Sequence, residues 1–248
     1  MVSVNIHCDE ISKSFGATEA VAPFSITLAA GQTTALVGPS GCGKSTLLRM
    51  IAGLEVPDEG TILLGTEVPR TVARRGGLAM AFQDPSLLPW RSVRANIALG
   101  AELARKPAGD IDALIELVGL NGFAEHRPAE LSGGMRQRAA IARSLVSSPD
   151  VLLLDEPFGA VDAMTRRRLN ADLPPLWRTR GATVVLVTHS VQEAVLLSDR
   201  VLVLSPRPAR LVADIPIDLS GARDSRLLDT PACLALTRSV FAALEEQA

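Results

Sequence analysis

The sequence predicts an α/β fold with a mostly parallel central sheet, an antiparallel β part and a helical part. Continuous apolar runs such as Val151–Leu154 are typical of strands that a parallel sheet buries on both faces. Two early segments alternate apolar and polar residues instead, as half-buried antiparallel strands do. From about residue 84 to 147 the apolar residues recur at helical spacing, and no strand pattern occurs.

The elements follow from these patterns in chain order. Strands are predicted at 2–11, 24–30, 33–37, 61–65, 78–82, 151–154, 183–187, 201–204 and 211–217. Helices are predicted at 46–53, 93–105, 110–119, 132–147, 162–179, 191–198 and 224–247. The first two strands are expected to be joined through a loop that ends at Val21. The prolines Pro174 and Pro175 must break or kink the helix that contains them.

We expect a single domain over residues 1–248, because this length suits one large α/β domain. Its core is expected to take about 1–83 and 148–220, including the antiparallel part. A helical subdomain takes about 84–147. The amphipathic tail at 221–248 is expected to be helical.

Composition excludes several classes of function. The net charge is −2 and aromatic residues make up only 3% of the chain, so we expect no nucleic-acid partner. Three widely spaced cysteines predict a reducing compartment rather than disulfide bonds. We expect no signal peptide, and no apolar run reaches the roughly 18 residues that span a bilayer. A cytoplasmic location is therefore expected, and any role at a membrane requires a partner.

A phosphate-binding loop is predicted between the strand at 33–37 and the helix at 46–53. The chain matches the pattern G-x-x-x-x-G-K-[ST] without a mismatch. The glycines let the loop curl, so that backbone N–H groups and the helix N-terminus face one anion. Lys44 adds a charge for the β- and γ-phosphates, and the Ser45 hydroxyl is suited to Mg²⁺. The predicted nucleotide-binding residues are Gly38, Pro39, Ser40, Gly41, Cys42, Gly43, Lys44, Ser45 and Thr46.

Two carboxylates, Asp155 and Glu156, follow the buried strand at 151–154. An acid at the end of a strand beside a phosphate loop is placed to hold Mg²⁺ through water, which is the role expected of Asp155. Glu156 points elsewhere and can polarise an attacking water. The alternative, two solvated acids at a strand end, is disfavoured by the phosphate loop upstream.

A second anion-binding helix end is predicted at Leu131–Arg138. Ser132 is a good N-cap, and Gly133 and Gly134 bare the backbone N–H groups of the first turn. The alternative is a well-capped helix that binds nothing. One ATP does not need two such helix ends from one chain, so the second helix end suggests a second subunit.

With these motifs the chain resembles the nucleotide-binding subunit of an ATP-binding cassette (ABC) transporter, over roughly residues 3–220. Leu131–Gln137 is similar to the family signature L-S-G-G-Q, with Met135 where glutamine is usual. The resemblance implies an ABC-type P-loop NTPase fold, ATP hydrolysis with Mg²⁺, and a homodimer. The signature residues implied to act in trans on the partner's ATP are Ser132, Gly133, Gly134 and Met135.

The resemblance also implies roles for single residues. Gln83 matches the Q-loop glutamine, which contacts Mg²⁺ and the attacking water, and Asp162 matches the D-loop. His189 matches the switch histidine that contacts the γ-phosphate. Phe15 falls where the family stacks an aromatic ring on adenine, and Val21 at the second adenine/ribose contact. The implied catalytic set is Glu156, His189, Gln83 and Lys44, and the implied Mg²⁺ ligands are Ser45, Gln83 and Asp155.

Four strings resemble the nitrate/sulfonate/taurine importer branch: Phe82–Val93, Asp155–Asp162, Thr188–Ala194 and Leu204–Pro208. Importers of polyamines, molybdate or thiamine precursors share parts of them. The resemblance implies an ATPase subunit that couples hydrolysis to uptake of a small oxoanion or organosulfonate. It also implies a transmembrane permease, an extracytoplasmic solute-binding protein, and a peripheral location on the cytoplasmic side of the inner membrane.

Other classes of protein compete with this interpretation. A soluble ABC ATPase of repair or translation usually carries two cassettes, long coiled-coil inserts or basic arms, and none is visible. A P-loop kinase or GTPase would not need Leu131–Met135, and the guanine motif N-K-x-D does not occur. A purely structural cassette would not need the complete catalytic set.

A permease contact is predicted at Leu87, Leu88, Pro89 and Trp90. Large apolar side chains are unfavourable in water, since burying one gains roughly 1.5–3 kcal/mol. The alternative is that these residues pack into the helical part's own core.

Overall fold

The structure is a computed structural model that describes residues 4–219, 223 and 225–246. It contains two sheets. The smaller sheet is antiparallel, in the order β2-β1-β4, and is built from β1 (Ile6–Phe15), β2 (Thr18–Leu28) and β4 (Glu59–Leu64). Ile6, at the start of the central strand, pairs with Leu28 on one side and Leu64 on the other.

The larger sheet has the order β5-β6-β7-β3-β8-β9. Its strands are β3 (Thr33–Val37), β5 (Leu78–Ala81), β6 (Val151–Asp155), β7 (Thr183–Val187), β8 (Arg200–Leu204) and β9 (Leu211–Pro216). The first five strands in this order run parallel, and β9 pairs antiparallel with β8. The carboxyl ends of β3, β6 and β7 therefore lie side by side, where ligands bind in open α/β sheets.

Nine helices are described. They are α1 (Lys44–Ile51), α2 (Pro69–Arg74), α3 (Val93–Ala104), α4 (Ile111–Leu117), α5 (Gly133–Leu145), α6 (Ala163–Asp172), α7 (Pro174–Arg178), α8 (Val191–Leu197) and α9 (Pro231–Glu245). Six of them begin at a serine, threonine or aspartate whose side-chain oxygen accepts a backbone N–H of the first turn. No helix in the described ranges is long and apolar enough to cross a bilayer.

The apolar core lies on both faces of the parallel sheet. Alternate residues of β6 and β7 face opposite sides, as the period of a strand requires. Leu153 and Val185 pack with α1 and the antiparallel sheet, whereas Leu152 and Val184 pack with α3, α5, α6 and α7. A third cluster joins β3 and β8 to α8 and α9. The predicted α/β fold class is confirmed.

Several element boundaries differ from the prediction. The predicted strands at 2–11 and 24–30 are 6–15 and 18–28, so the loop expected to end at Val21 is a tight turn at 16–17. Register shifts between Cys8 and Phe15 blur the alternation in the sequence. Helix α2 was not predicted, because six residues carry too little periodicity. The helix at 162–179 does break before Pro174. Residues 2–3, 220–222, 224 and 247–248 of the predicted elements lie outside the described residues.

Candidate nucleotide-binding site

A cleft of about 570 Å³ opens at the carboxyl edge of the parallel sheet. Its volume lies within the range usual for small-molecule sites, roughly 300–1,000 Å³. The lining residues come from β1, β2, the loop before α1, the first turn of α1, the segments after β5, β6 and β7, and the turn between β8 and β9: Phe15, Thr18, Ala20, Ser40, Gly41, Gly43, Lys44, Ser45, Thr46, Gln83, Glu156, His189 and Arg207. Most of the predicted nucleotide and catalytic residues therefore share one cleft.

The phosphate loop is shaped by glycines at two positions. Gly41 and Gly43 have φ values of 72° and 123°, which other residues rarely adopt. A Cβ on Gly43 would also lie 2.5 Å from the carbonyl oxygen of Ala20 on β2. The loop can pack this tightly against β2 only because glycine occupies that position.

Lys44 begins α1 and points back over the loop. Its Nζ donates to the carbonyl oxygens of Gly38 and Pro39, both at 2.8 Å, and lies 3.7 Å from the Cys42 Sγ. Lys44 is 6% exposed. Gly38, Pro39 and Cys42 do not line the cleft. They contribute by holding the Lys44 ammonium in place.

Ser45 and Asp155 form a pair of oxygen donors beside the loop. The Ser45 hydroxyl donates to the Asp155 Oδ1 at 3.0 Å. Burial raises the pKa of Asp155, the hydrogen bond from Ser45 lowers it, and the neighbouring charge of Glu156 raises it. A divalent cation would stabilise the ionised carboxylate. No cluster of three metal-ligating side chains exists in the described part of the chain. A hydroxyl and a carboxylate fit Mg²⁺, which keeps several waters and phosphate oxygens as ligands.

Glu156 contacts two other predicted residues, Gln83 and His189. Its backbone N–H donates to the Val187 carbonyl at 2.9 Å, and its φ of 47° is rare for a residue other than glycine. Its Oε2 lies 3.5 Å from Gln83 Nε2 and 3.3 Å from His189 Nδ1. One carboxylate thus contacts polar groups from two other segments, in the cleft that the phosphate loop also lines.

A buried network that the sequence did not predict supports the His189 segment. The Thr188 hydroxyl donates to the Glu193 Oε2 at 2.8 Å and accepts the Ser190 N–H at 3.0 Å. Arg166 on α6 lies 3.6 Å from the other carboxylate oxygen. Burial raises the pKa of Glu193, although Thr188 and Arg166 lower it. Glu193 lies in the first turn of α8, six residues after the end of β7, and the sequence does not indicate its burial.

Phe15 lies at the outer rim of the cleft, at the end of β1. Its ring is 49% exposed, and Lys13 Nζ lies 5.5 Å from the ring centroid. Val21, where the resemblance implies the second adenine/ribose contact, is fully buried in β2 and does not line the cleft. Thr18 and Ala20 line it instead, since alternate residues of a strand face opposite sides.

The signature residues Ser132, Gly133, Gly134 and Met135 do not line this cleft. Ser132 is exposed and caps α5, and its hydroxyl accepts the Met135 N–H at 3.3 Å. A Cβ on Gly134 would lie 2.9 Å from the Ala160 carbonyl oxygen, so α5 packs closely on the segment before Asp162. Asp162 is exposed and caps α6 by accepting the Thr165 N–H. The second helix end therefore does not line its own chain's cleft.

Helix α5 also holds the segment that follows β5. Gln137 donates to the Phe82 carbonyl at 3.1 Å. Arg143 donates to the carbonyls of Pro85 and Ser86, both at 2.8 Å. The backbone on both sides of Gln83 is thus fixed by one helix.

The predicted contact residues divide into two pairs. Leu87 packs against the apolar cluster that joins the parallel sheet to α3, α5, α6 and α7, and Leu88 is half-buried. Pro89 and Trp90 are exposed, Trp90 by 68%. Beside them lies an apolar groove of about 250 Å³ between β5 and helices α3 and α5. It is lined in part by Met80, Phe82, Leu99 and Leu103, and these residues were not predicted.

The fold and the site define a P-loop nucleotide-binding cassette. The family model described as "ABC transporter" matches residues 21–159, and the chain belongs to that family. A relative from Pseudomonas savastanoi pv. phaseolicola, an aliphatic sulfonates import ATP-binding protein, is 45% identical over 225 residues. The match spans 90% of this chain and 89% of the relative.

Two further relatives are similar. The taurine import ATP-binding protein of Roseobacter denitrificans is 44% identical, over 78% of this chain and 73% of its own. An uncharacterised ABC transporter ATP-binding protein of Methanocaldococcus jannaschii is 50% identical, over 76% of this chain and 72% of its own. Among solved structures, a dimeric ATP-binding cassette in a post-hydrolysis state with ADP and Pi has a TM-score of 0.78 at 26% identity. It matches 87% of this chain and all of its own.

Proposed function

We propose that this chain is the ATP-hydrolysing subunit of an importer for a small organosulfonate such as taurine or an aliphatic sulfonate. One observation carries the enzymatic part: Gln83, Glu156 and His189 converge above the phosphate loop. The names of the relatives from Roseobacter and Pseudomonas support the solute class. Nitrate and other oxoanions are less well supported, because these relatives are named for sulfonates.

The residues of the cleft suit in-line attack of water on a γ-phosphate. Lys44 exchanges its loop carbonyls for the β- and γ-phosphate oxygens, because an ammonium binds anions more strongly than neutral carbonyls. Glu156 accepts a proton from the attacking water, and Gln83 orients that water. His189 donates to the γ-phosphate. When bound, Mg²⁺ neutralises developing phosphate charge, and Ser45, Asp155 and Gln83 are the residues that would hold it.

Base stacking falls to Phe15, whose exposed ring at the cleft rim is available to adenine. The family often has tyrosine at this position, so this chain keeps the aromatic ring and lacks the hydroxyl. The remaining loop residues, from Gly38 to Thr46, surround the phosphates with backbone N–H groups.

We further propose that two copies close around two ATP molecules. Ser132, Gly133, Gly134 and Met135 of one copy would complete the site of the other, and Asp162 would lie at the contact. The absence of the α5 N-terminus from the lining of its own cleft supports this arrangement. The dimeric form of the similar solved cassette supports it further.

A transmembrane permease is the proposed partner at Trp90 and at the apolar groove between β5, α3 and α5. Because the backbone around Gln83 also borders this region, occupation of the groove and events at the cleft are mechanically connected. This partner places the subunit on the cytoplasmic side of the membrane, with a solute-binding protein outside.

The catalytic roles are tested with two substitutions and one control. Lys44→Ala should lose most ATP affinity. Glu156→Gln should still bind ATP but hydrolyse it at least ~100-fold more slowly, the usual scale for a positioned base. Glu116→Gln, an exposed glutamate on α4, should behave as wild type. Near-normal turnover by the Glu156→Gln protein would refute the assigned role.

The trans arrangement is tested by size-exclusion chromatography with ATP. The Glu156→Gln protein should elute as a dimer with ATP, and adding Ser132→Arg should prevent this. Full hydrolysis by isolated monomers would refute the proposal.

Docking is tested by Trp90→Ala, with Phe241→Ala as an exposed aromatic control on α9. Trp90→Ala should leave the melting temperature and basal ATPase unchanged while co-purification with the permease and taurine uptake fall. A lower melting temperature with uptake that only follows protein abundance would show that Trp90 is structural.

A further inference from the structure

The turn between β8 and β9 packs against the phosphate loop. A Cβ on Gly38 would lie 2.8 Å from the carbonyl oxygen of Leu204, where β8 ends. A Cβ on Gly43 would lie 3.1 Å from the Ala209 Cβ, at the other end of the turn. The turn therefore touches the loop near both of its ends, and it is a wall of the cleft.

Between these two contacts the turn carries Arg207, which reaches the middle of the loop. Its Nε and Nη2 both donate to the carbonyl oxygen of Gly41, at 3.1 and 2.8 Å. A guanidinium has five N–H donors, so three remain, and within the described residues no other acceptor takes them. Arg207 itself lines the cleft. The string Leu204–Pro208 includes this residue, but no role was assigned to it from the sequence.

The backbone that carries Arg207 is held firmly. The Ser205 Oγ accepts the Arg210 N–H at 3.0 Å and lies 2.9 Å from the Pro208 carbonyl oxygen. Ala209 also exchanges two backbone hydrogen bonds with β2, at 3.0 and 3.2 Å. The guanidinium is thus presented from a turn that is tied both internally and to the neighbouring sheet.

The contact has a defined effect on the loop. A phosphate cradle works when its N–H groups point inward, and a carbonyl oxygen pointing inward would repel the phosphates. Gly41 has a positive φ and would meet nothing closer than Arg207 if it carried a Cβ, so packing alone does not fix its orientation. The two Arg207 donors hold the Gly41 carbonyl oxygen and offset its partial negative charge, so the oxygen is not free to turn toward the phosphates.

We propose that Arg207 is a positioning residue of the nucleotide site, which fixes the phosphate loop through the Gly41 carbonyl and thereby sets affinity for ATP. This proposal rests on the proposed ATPase function. Arg207 acts on ATP binding rather than on the hydrolytic step, because it contacts the phosphate loop from the β8–β9 turn. Within the described residues it makes no hydrogen bond with Gln83, Glu156 or His189.

The test compares Arg207→Ala and Arg207→Lys with Arg210→Ala. Arg210 is an exposed arginine of the same turn that does not line the cleft, so its removal changes the net charge equally. Arg207→Ala should raise KM for ATP about tenfold with kcat within about twofold, the scale of one lost charge-assisted contact. Arg207→Lys, which keeps the charge but not the fork, should fall between alanine and wild type.

A second measurement follows the loop itself without activity. Hydrogen–deuterium exchange of peptides covering 38–46 should accelerate in nucleotide-free Arg207→Ala and stay unchanged in Arg210→Ala. The melting temperature without nucleotide should remain that of wild type, and the rise produced by ATP should shrink.

Three results would overturn the proposal: wild-type ATP affinity in Arg207→Ala, a fall in kcat at unchanged KM, or an equal loss in Arg210→Ala. If wild-type protein itself fails to bind ATP, the proposed function fails and this proposal with it. If wild type binds and hydrolyses ATP while Arg207→Ala matches it, only the role of Arg207 is refuted.

Discussion

Asn96 on α3 organises the segment that exposes Trp90, and its replacement should be among the most destabilising polar substitutions in the chain. The side chain is fully buried. Its Nδ2 donates to the carbonyls of Leu88, Arg91 and Ser92 at 3.0–3.1 Å, and its Oδ1 accepts the Leu88 N–H at 2.8 Å. One amide therefore closes the loop from both ends.

The expected magnitude follows from these contacts. Asn96→Ala removes four interactions, and each ordinary hydrogen bond contributes about 0.5–1.5 kcal/mol net. Because two Nδ2 hydrogens are shared among three carbonyls, and because water can enter the space, we expect a loss near 3 kcal/mol. For a domain of this size, that loss corresponds to a fall of about 6–12 °C in melting temperature.

Thermal unfolding of the nucleotide-free protein measures the loss, and limited trypsin digestion locates it. Cleavage after Arg91 should accelerate in Asn96→Ala, since the loop is no longer held. Asn170→Ala is the matched control, because Asn170 is also a buried helical asparagine but its Oδ1 has no partner. It should lose less than about 1 kcal/mol. Equal melting temperatures for the two variants would refute the reasoning.

Two further predictions concern Glu193 and Gly134. Burial raises the pKa of Glu193 above 4.5, so its stabilising contribution is present below that pH and declines as the carboxyl ionises at higher pH. The free energy of unfolding of wild type minus that of Glu193→Gln, from urea titrations, should therefore fall as pH rises from 4.5; a difference independent of pH would contradict this. Gly134→Ala places a Cβ 2.9 Å from the Ala160 carbonyl oxygen and should cost about 1–3 kcal/mol in thermal unfolding. Gly133→Ala meets only Arg136 Nη2 at 4.0 Å and should be neutral or stabilising, so equal losses in both would contradict the packing argument.

Local signals predicted much of the fold and the cleft. The phosphate loop is one contiguous stretch, and the predicted cap Ser132 accepts a hydrogen bond from a residue three positions away. Buried parallel strands leave continuous apolar runs, so Asp155 could be placed at a strand end from the sequence alone. Such features depend on neighbours in the chain, and therefore a single sequence is enough to predict them.

Features that depend on distant segments were missed. Arg207 contacts a residue 166 positions earlier, and nothing in its own neighbourhood indicates that contact. Val21 was expected at the end of a loop but lies buried within β2, because β2 pairs with β1 from Thr18 onward. Asn96 looks like an ordinary helical polar residue, and only the fold brings the loop carbonyls to it.

The hydrogen bonds from α5 to the segment after β5 have a consequence for engineering chimeric subunits. Gln137 and Arg143 bind backbone carbonyls, so the sequence of the bound segment can vary while its path cannot. Grafting residues 132–145 from a relative without 82–86 would leave one carbonyl unpaired if the donor lacks Gln137 and two if it lacks Arg143. The helix and the loop should therefore be exchanged together, and recombination breakpoints between close relatives should fall outside both.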